Sequence, residues 1–315
     1  MPNTNWTTNN IPNLENKVFI VTGANAGLGF EASKELARKA ASVILACRNM
    51  DKANIALTEL KEEIPNASLD IIQLNLASLK SIHQFADEFK AKYDRLDVQL
   101  NNAGIMFLPE KRETEDGFEL TFGTNVLGHF ALTGLLLDVL KATPKSRVVN
   151  VSSFAHRSGQ IDFDDLMFEN KAFHGGEAYA ASKLGGILFT NELQRRFESN
   201  GFDCISVSVD PGFVRTNWLR HQASGNLLNE FIAFVGGIAT QAVGQSVEMG
   251  ALSLLRPAVD TVVKGGEFYS PEGKFHLPRG YPVLAESSEA SHNENDAKKL
   301  WEVAEKLTNV QFQFH

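Results

Sequence analysis

Cysteine is nearly absent: Cys47 and Cys204 stand far apart, in apolar strand-like segments of a 315-residue chain. Such a pair builds no disulfide framework and reads as two buried, reduced thiols, the usual state in the cytosol. An excess of basic residues is missing too. Lys and Arg number 30 against 38 Asp and Glu, giving a net charge of -8 and a pI of about 5.6, whereas nucleic acid and anionic membrane surfaces call for dense positive charge. The uncharged runs Leu120 to Leu137 and Phe231 to Val247 are interrupted by Thr, Asn, Gln or Gly and read as buried helices, not membrane spans. The N-terminal MPNTNWTTNNIPNLENK lacks the charged-then-apolar order of a secretory signal, so a soluble, cytoplasmic protein is expected. The eight histidines form no His-Glu-x-x-His pattern and there is no Cys-x-x-Cys, so no metal site is expected. No internal repeat, low-complexity segment or linker marks a second domain.

What is present is a 43% hydrophobic chain, enough for a sizeable core in one large α/β domain or two small ones, of which one domain is preferred. The stretch from Val149 to Asn191 organises the rest: a buried strand ending in Ser152 and Ser153, a long polar loop, then a helix carrying Tyr179 and Lys183. Residues four apart share a helix face, which brings the ammonium beside the phenol ring. A cation about 4 Å away at an effective dielectric of about 20 favours phenolate by up to roughly 4 kcal/mol, about three pKa units, bringing the phenol toward neutral pH. Tyr-x-x-x-Lys is also a common helical spacing, so its meaning depends on the remainder of the chain.

Near the N-terminus a strand from Lys17 to Val21 runs into TGANAGLG, Thr22 to Gly29, and then into a helical pattern. Strand, glycine-rich turn and helix are the context in which backbone approaches a phosphate, with Gly23, Gly27 and Gly29 supplying the freedom. A second strand, Ser42 to Cys47, is followed by Arg48, with no carboxylate before Asp51. An acid at this strand end would bind a ribose 2′-hydroxyl, while arginine accommodates a 2′-phosphate, so NADP(H) is the expected cofactor. A third strand, Leu69 to Leu74, leads to Asn75, equally readable as an adenine contact or a turn residue, and to a helix capped by Ser78. Asn101 to Gly104 follow a fourth strand and can tie the sheet together. A helix from Gly117 to about Leu140 carries Asn125, which either holds a kink or positions a water, and His129, read as a packed core histidine. After Cys204 to Val209 comes DPGFVRT, whose exposed backbone and Thr216 can hold a carboxamide. A helix from Val247 to Leu255 and a strand at Glu267 to Tyr269 complete the sheet, and the tail beyond is expected to wrap the surface.

Taken together, TGANAGLG, NNAG at 101 to 104, Asn125, Ser152-Ser153, Tyr179-x-x-x-Lys183 and Pro211-Gly212 resemble the short-chain dehydrogenase/reductase family in order and separation over about residues 16 to 270. ACRN after the second strand and the long loop before Tyr179 are most similar to its retinol dehydrogenase and WW-domain oxidoreductase branch. The resemblance implies one Rossmann-type domain over 1–315, with a doubly wound, seven-stranded parallel sheet in the order 3-2-1-4-5-6-7. It also implies a polar N-terminal extension at 1–15, a substrate loop at 213–239 and a C-terminal extension at 271–315. It casts Tyr179 as acid/base, with Lys183 lowering its pKa and binding the nicotinamide ribose. Ser153 would bond the substrate oxygen, with Ser152 as fallback, and Asn125 would hold a water linking Lys183 to solvent. It assigns the NADP(H) groove to Thr22, Gly23, Asn25, Ala26, Gly27, Leu28, Gly29, Arg48, Asn75, Leu76, Asn102, Ala103, Gly104, Asn125, Tyr179, Lys183, Pro211, Gly212, Val214 and Thr216. The partner is then a small to medium apolar aldehyde, ketone or alcohol, and pairing into a homodimer or homotetramer would use the helices holding Asn125 and Tyr179. Two positions depart from the pattern: Asn75 stands where the family usually has Asp, and Asp210 precedes Pro-Gly. No apolar N-terminal anchor is seen, so retinoid turnover is not carried over. Two rival readings are a sugar-nucleotide epimerase or dehydratase, disfavoured by the glycine spacing and the small C-terminal region, and a catalytically silent NADP(H)-binding sensor or scaffold.

Overall fold

The computed structural model describes residues 5–215, 244–273 and 279–314. Runs such as VFIVT and SVILAC are buried almost throughout, as strands covered on both faces must be. They form β1 (Val18–Thr22), β2 (Ser42–Cys47), β3 (Ser68–Gln73), β4 (Val98–Asn101), β5 (Arg147–Val151), β6 (Ile205–Val209), β7 (Phe268–Pro271) and β8 (Pro282–Ala285). The sheet order is β3-β2-β1-β4-β5-β6-β7-β8. Seven strands are parallel in the expected order. The expected count is corrected by β8, which pairs antiparallel with β7, Tyr269 opposite Leu284. Only residues 272–281 separate these two strands, too few for the helical crossover that a parallel neighbour requires.

Helices α1 (Gly27–Arg38), α2 (Met50–Glu63), α3 (Leu79–Lys92), α4 (Leu120–Phe122), α5 (Gly128–Leu135), α6 (Leu137–Ala142), α7 (Gly175–Ser199), α8 (Val247–Val259) and α9 (Glu294–Thr308) flank the sheet. One layer joins α1, α2 and α8, with Leu36, Leu60 and Leu255 in a common core. The N-terminal extension belongs to it: Trp6, Ile11 and Leu14 are buried there, so that segment is less polar in its packing than its composition suggests. The other layer joins α3, α5, α7 and α9 through Phe85, Phe130, Phe197 and Trp301. Instead of merely wrapping the surface, the C-terminal segment inserts Trp301, Val310, Phe312 and Phe314 into this core. Its apolar positions recur at helical spacing and then alternate along an extended tail, so both patterns present one face.

The single helix expected from Gly117 to Leu140 is also corrected. It is divided into α4, a π-helical turn at Gly123–Leu127, α5 and α6. Ser78 does occupy the N-cap of α3, but its hydroxyl bonds Glu115 (2.6 Å), and Asp116 Oδ2 accepts the Leu79 N–H (2.9 Å).

At the base of the sheet, Asp97 accepts the Val18 N–H (2.9 Å) and two Arg95 N–H groups (2.6 and 2.7 Å) and pairs with Lys17 (3.0 Å). Burial pushes its carboxyl up, but these donors, Arg95 foremost, hold it below the usual range. Asp97→Asn is expected to lose about 1–3 kcal/mol in urea unfolding at neutral pH. The folded-state pKa lies below the unfolded value of about 3.9, so this stabilisation is complete above that value and fades as pH falls through the folded one. The difference between wild type and variant should therefore close in acid.

Candidate active site

β1 ends at Thr22, and the chain turns through Gly23 (φ 69°) and Gly27 (φ 58°), a backbone region open to glycine. A Cβ added at Gly29 would lie 2.6 Å from both Gly23 O and Asn102 Nδ2, so only glycine keeps this turn closed. The Ala26 N-cap supplies no side-chain acceptor and the first turn of α1 holds no acid. Its leading N–H groups and positive helix end can therefore meet an anion. These features fit a dinucleotide pyrophosphate, and Gly104 provides a second close approach: a Cβ there would sit 3.2 Å from Asn125 Oδ1 and 3.7 Å from Lys183 Nζ.

Thr22 is the hub that holds neighbouring strand ends in place. Its hydroxyl oxygen accepts the Asn102 and Ala103 N–H groups (both 2.9 Å), Asn102 Nδ2 donates to its carbonyl (2.8 Å), and His129 Nε2 lies 3.1 Å away. The Asn125 carbonyl, 3.1 Å from His129 Nδ1, can only accept. Nδ1 therefore carries the proton and Thr22 donates to Nε2. Burial agrees with this, pushing the imidazole down to about 4 and keeping it neutral.

On the reaction side, β5 delivers Ser152 and Ser153 while α7 presents Tyr179 and Lys183 one turn apart. The Ser153 hydroxyl oxygen accepts the Ala155 N–H (3.3 Å) and lies near enough to the Tyr179 phenol to favour its anion. Ser152 points elsewhere, its hydroxyl donating to the Lys183 carbonyl (2.9 Å). Lys183 Nζ sits 5.5 Å from the Tyr179 ring centroid and donates to Val151 O (2.8 Å). Asn125 lies within the π-helical turn: its Oδ1 accepts the Ile105 N–H (2.8 Å), and its Nδ2 donates to Ile105 O and Ser182 Oγ (both 2.9 Å). An inserted residue of this kind re-aims a side chain, here across to α7. A cavity of about 10 Å³ lies behind these groups, among Asn101, Asn125, His129, Asn150, Ser182 and Lys183.

The electrostatics differ from the sequence expectation. Burial pushes Tyr179 up to about 12; the Ser153 hydroxyl lowers it and Asp210 adds to the rise. Burial also pushes Lys183 down, against the pull of Asp210. Desolvation of both partners thus outweighs the simple lysine-to-phenol attraction, and the phenol of the chain alone holds its proton at neutral pH.

A family model described as short chain dehydrogenase matches residues 17–226. The chain belongs to the short-chain dehydrogenase/reductase family. It lies in the retinol dehydrogenase-like branch and is an oxidoreductase. It is 40% identical to human (Homo sapiens) retinol dehydrogenase 13 over 296 residues, 94% of this chain and 85% of that protein. Among solved structures, a protein from Mycobacterium paratuberculosis superposes with a TM-score of 0.80 at 33% identity, covering 98% of this chain and 100% of that one. A short chain dehydrogenase from Escherichia coli CFT073, solved with NADPH, has a TM-score of 0.62 at 24% identity, covering 81% and 96%, a likeness of fold alone.

Other short-chain dehydrogenase/reductase positions take definite places. Arg48 is exposed just beyond β2. Asn75 serves the turn: its Oδ1 accepts the Ala77 N–H (3.2 Å) and its Nδ2 donates to Glu115 (3.2 Å). Leu76 is buried, its carbonyl 2.5 Å from where a Cβ on Gly128 would be. Pro211 O accepts from Gln245 Nε2 (2.8 Å), Gly212 adopts φ 72°, and Val214 bridges to Gln245. Thr216 lies outside the described residues, as does the 213–239 loop beyond Arg215. Sequence reasoning assigned no site role to His129 or Asp210. The i, i+4 spacing of Asn125 and His129 was the available signal for the first, and nothing local signals the second.

Proposed function

We propose that this chain transfers a hydride between NADP(H) and the carbonyl or alcohol of a small to medium apolar molecule. The observation that carries the reading is the buried Tyr179 phenol, with Lys183 5.5 Å from its ring centroid and Ser153 beside it, at the strand ends that also hold the glycine turn. When bound, NADP(H) supplies or takes up the hydride at nicotinamide C4. Ser153 orients the substrate oxygen by a hydrogen bond, and Tyr179 gives that oxygen its proton during reduction or removes it during oxidation. Lys183 stabilises the phenolate as it forms. The cavity of about 10 Å³ beside Asn125 and Lys183 matches one water with several polar partners, and such a water would carry a proton outward from Lys183.

Three exposed phenylalanines support an apolar substrate: Phe107, Phe154 and Phe213 follow β4, β5 and β6, and the Phe107 ring lies 4.8 Å from that of Tyr179. The retinol dehydrogenase relatives are named for an apolar alcohol. The NADPH held by the Escherichia coli neighbour supports the cofactor, as does Arg48 in place of an acid. Arg48→Glu is expected to weaken NADPH binding about 10- to 100-fold while changing NADH far less, read by fluorescence titration, because a charge-assisted phosphate contact is worth about 1.5–3 kcal/mol. The overall test is loss of 340 nm absorbance with NADPH and benzaldehyde, octanal, cyclohexanone or all-trans-retinaldehyde. Binding of NADPH with turnover of none would overturn the reading in favour of a silent cofactor-binding protein.

A further inference from the structure

Asp210 is the strand-end residue that the mechanism above leaves unused. It follows β6 directly, and its backbone N–H donates to Tyr269 O (2.8 Å) on β7. In the β5–β6 register Val209 pairs with Val151, whose carbonyl holds the Lys183 ammonium. Asp210 is thus the next residue along the strand that lies against the lysine's anchor. Both side chains are almost fully enclosed, Asp210 at 4% exposure and Lys183 at 7%. One carboxylate oxygen accepts the Gly212 N–H (2.9 Å). The charged or titratable groups that act on Asp210 or on its partner are Lys183 and Tyr179 from α7, Arg157 from the turn at Phe154–Ser158 and, on Lys183, the neutral His129 from α5.

We propose that Asp210 is the counter-ion of Lys183 and, through it, a positioning residue for proton transfer at Tyr179. This rests on the oxidoreductase reading above. A lone ammonium buried in this pocket tends to lose its proton, and an anion placed on the adjacent strand keeps it charged. The same anion opposes a second negative charge on the phenol. Lys183 is pushed down by burial with Asp210 pulling it back up, and Asp210 is pushed up by burial with Lys183 pulling it down. Asp210 therefore retains both the lysine's proton and the phenol's, and extends to higher pH the range over which Tyr179 can act as an acid.

The test compares wild type, Asp210→Asn and Asp210→Glu in two ways. In carbonyl reduction with benzaldehyde, the alkaline limb of kcat/KM should move to lower pH by about one unit in the Asn variant and stay in place in the Glu variant, since Lys183 and Tyr179 both lose their protons sooner without the anion. The second measurement needs no turnover. Only four tyrosines are present, so Cζ-labelled tyrosine gives a short NMR spectrum in which Tyr179→Phe identifies the Tyr179 line. Its alkaline titration should begin about one pH unit earlier in Asp210→Asn. If neither limb nor line moves while NADPH still binds, the proposal is overturned; Asp210→Ser, which can still accept the Gly212 N–H, is read in the same way should the Asn variant not fold. Absence of benzaldehyde turnover in wild type would count against the oxidoreductase reading, and the titration alone would then decide the role of Asp210.

Discussion

Tyr179→Phe is expected to lower kcat/KM for carbonyl reduction by about 10²–10⁴-fold, the usual contribution of a positioned general acid. The change removes one oxygen and little else. The ring retains its packing against Phe107, 4.8 Å between centroids, and Lys183 retains its bond to Val151 O at 2.8 Å. NADPH affinity should stay within about threefold, a difference of under 1 kcal/mol. The pH profile provides the sharper check. A group that acts as an acid works below its pKa, so wild-type reduction should decline as pH rises through the deprotonation of Lys183 and Tyr179, while the residual rate of the variant has no such limb. Nearly full activity in Tyr179→Phe would mean that the proton comes from another group.

The second large effect lies outside the site. Trp301→Ala is expected to destabilise the protein by about 3–5 kcal/mol in urea unfolding, the range for deleting a fully buried aromatic. Trp301 is 1% exposed, and its ring centroid lies 4.5 Å from Phe312, 5.1 Å from Phe130 and 5.9 Å from Phe189, with the Arg196 guanidinium 4.2 Å over its face. Its indole N–H has no hydrogen-bond partner, so truncation strands no polar group and the loss is one of packing. Trp301→Phe should recover most of the stability. A change below about 1 kcal/mol on Trp301→Ala would show that α9 and the tail contribute little to the core, since surface substitutions behave that way.

Features that depend on neighbours in sequence were readable without coordinates. Gly23, Gly27 and Gly29 follow an apolar run and precede a helix, and Tyr179 and Lys183 are four apart, so short-range geometry alone brings each set together. The order of seven strands followed from the family resemblance and is the one observed. The antiparallel β8 escaped because YPV beside a glycine reads as a turn, although proline at the start of an edge strand is compatible with pairing. The π-helical turn around Asn125 escaped because one inserted residue leaves the apolar pattern of the helix almost unchanged. Asn75 was open between two roles, and the carboxylate of Glu115, forty positions away, gave its amide a partner.

The chain's own order of residues determined which chemistry is on offer: a phenol, an amine, a hydroxyl and a phosphate-sized glycine turn, each defined by spacings of a few residues. Tertiary structure decided how those groups are charged. Burial of Tyr179 and Lys183 and the presence of Asp210 on the adjacent strand arise from contacts between segments remote in sequence. Desolvation and Coulomb interaction depend on what surrounds a group in space, so no local pattern records them.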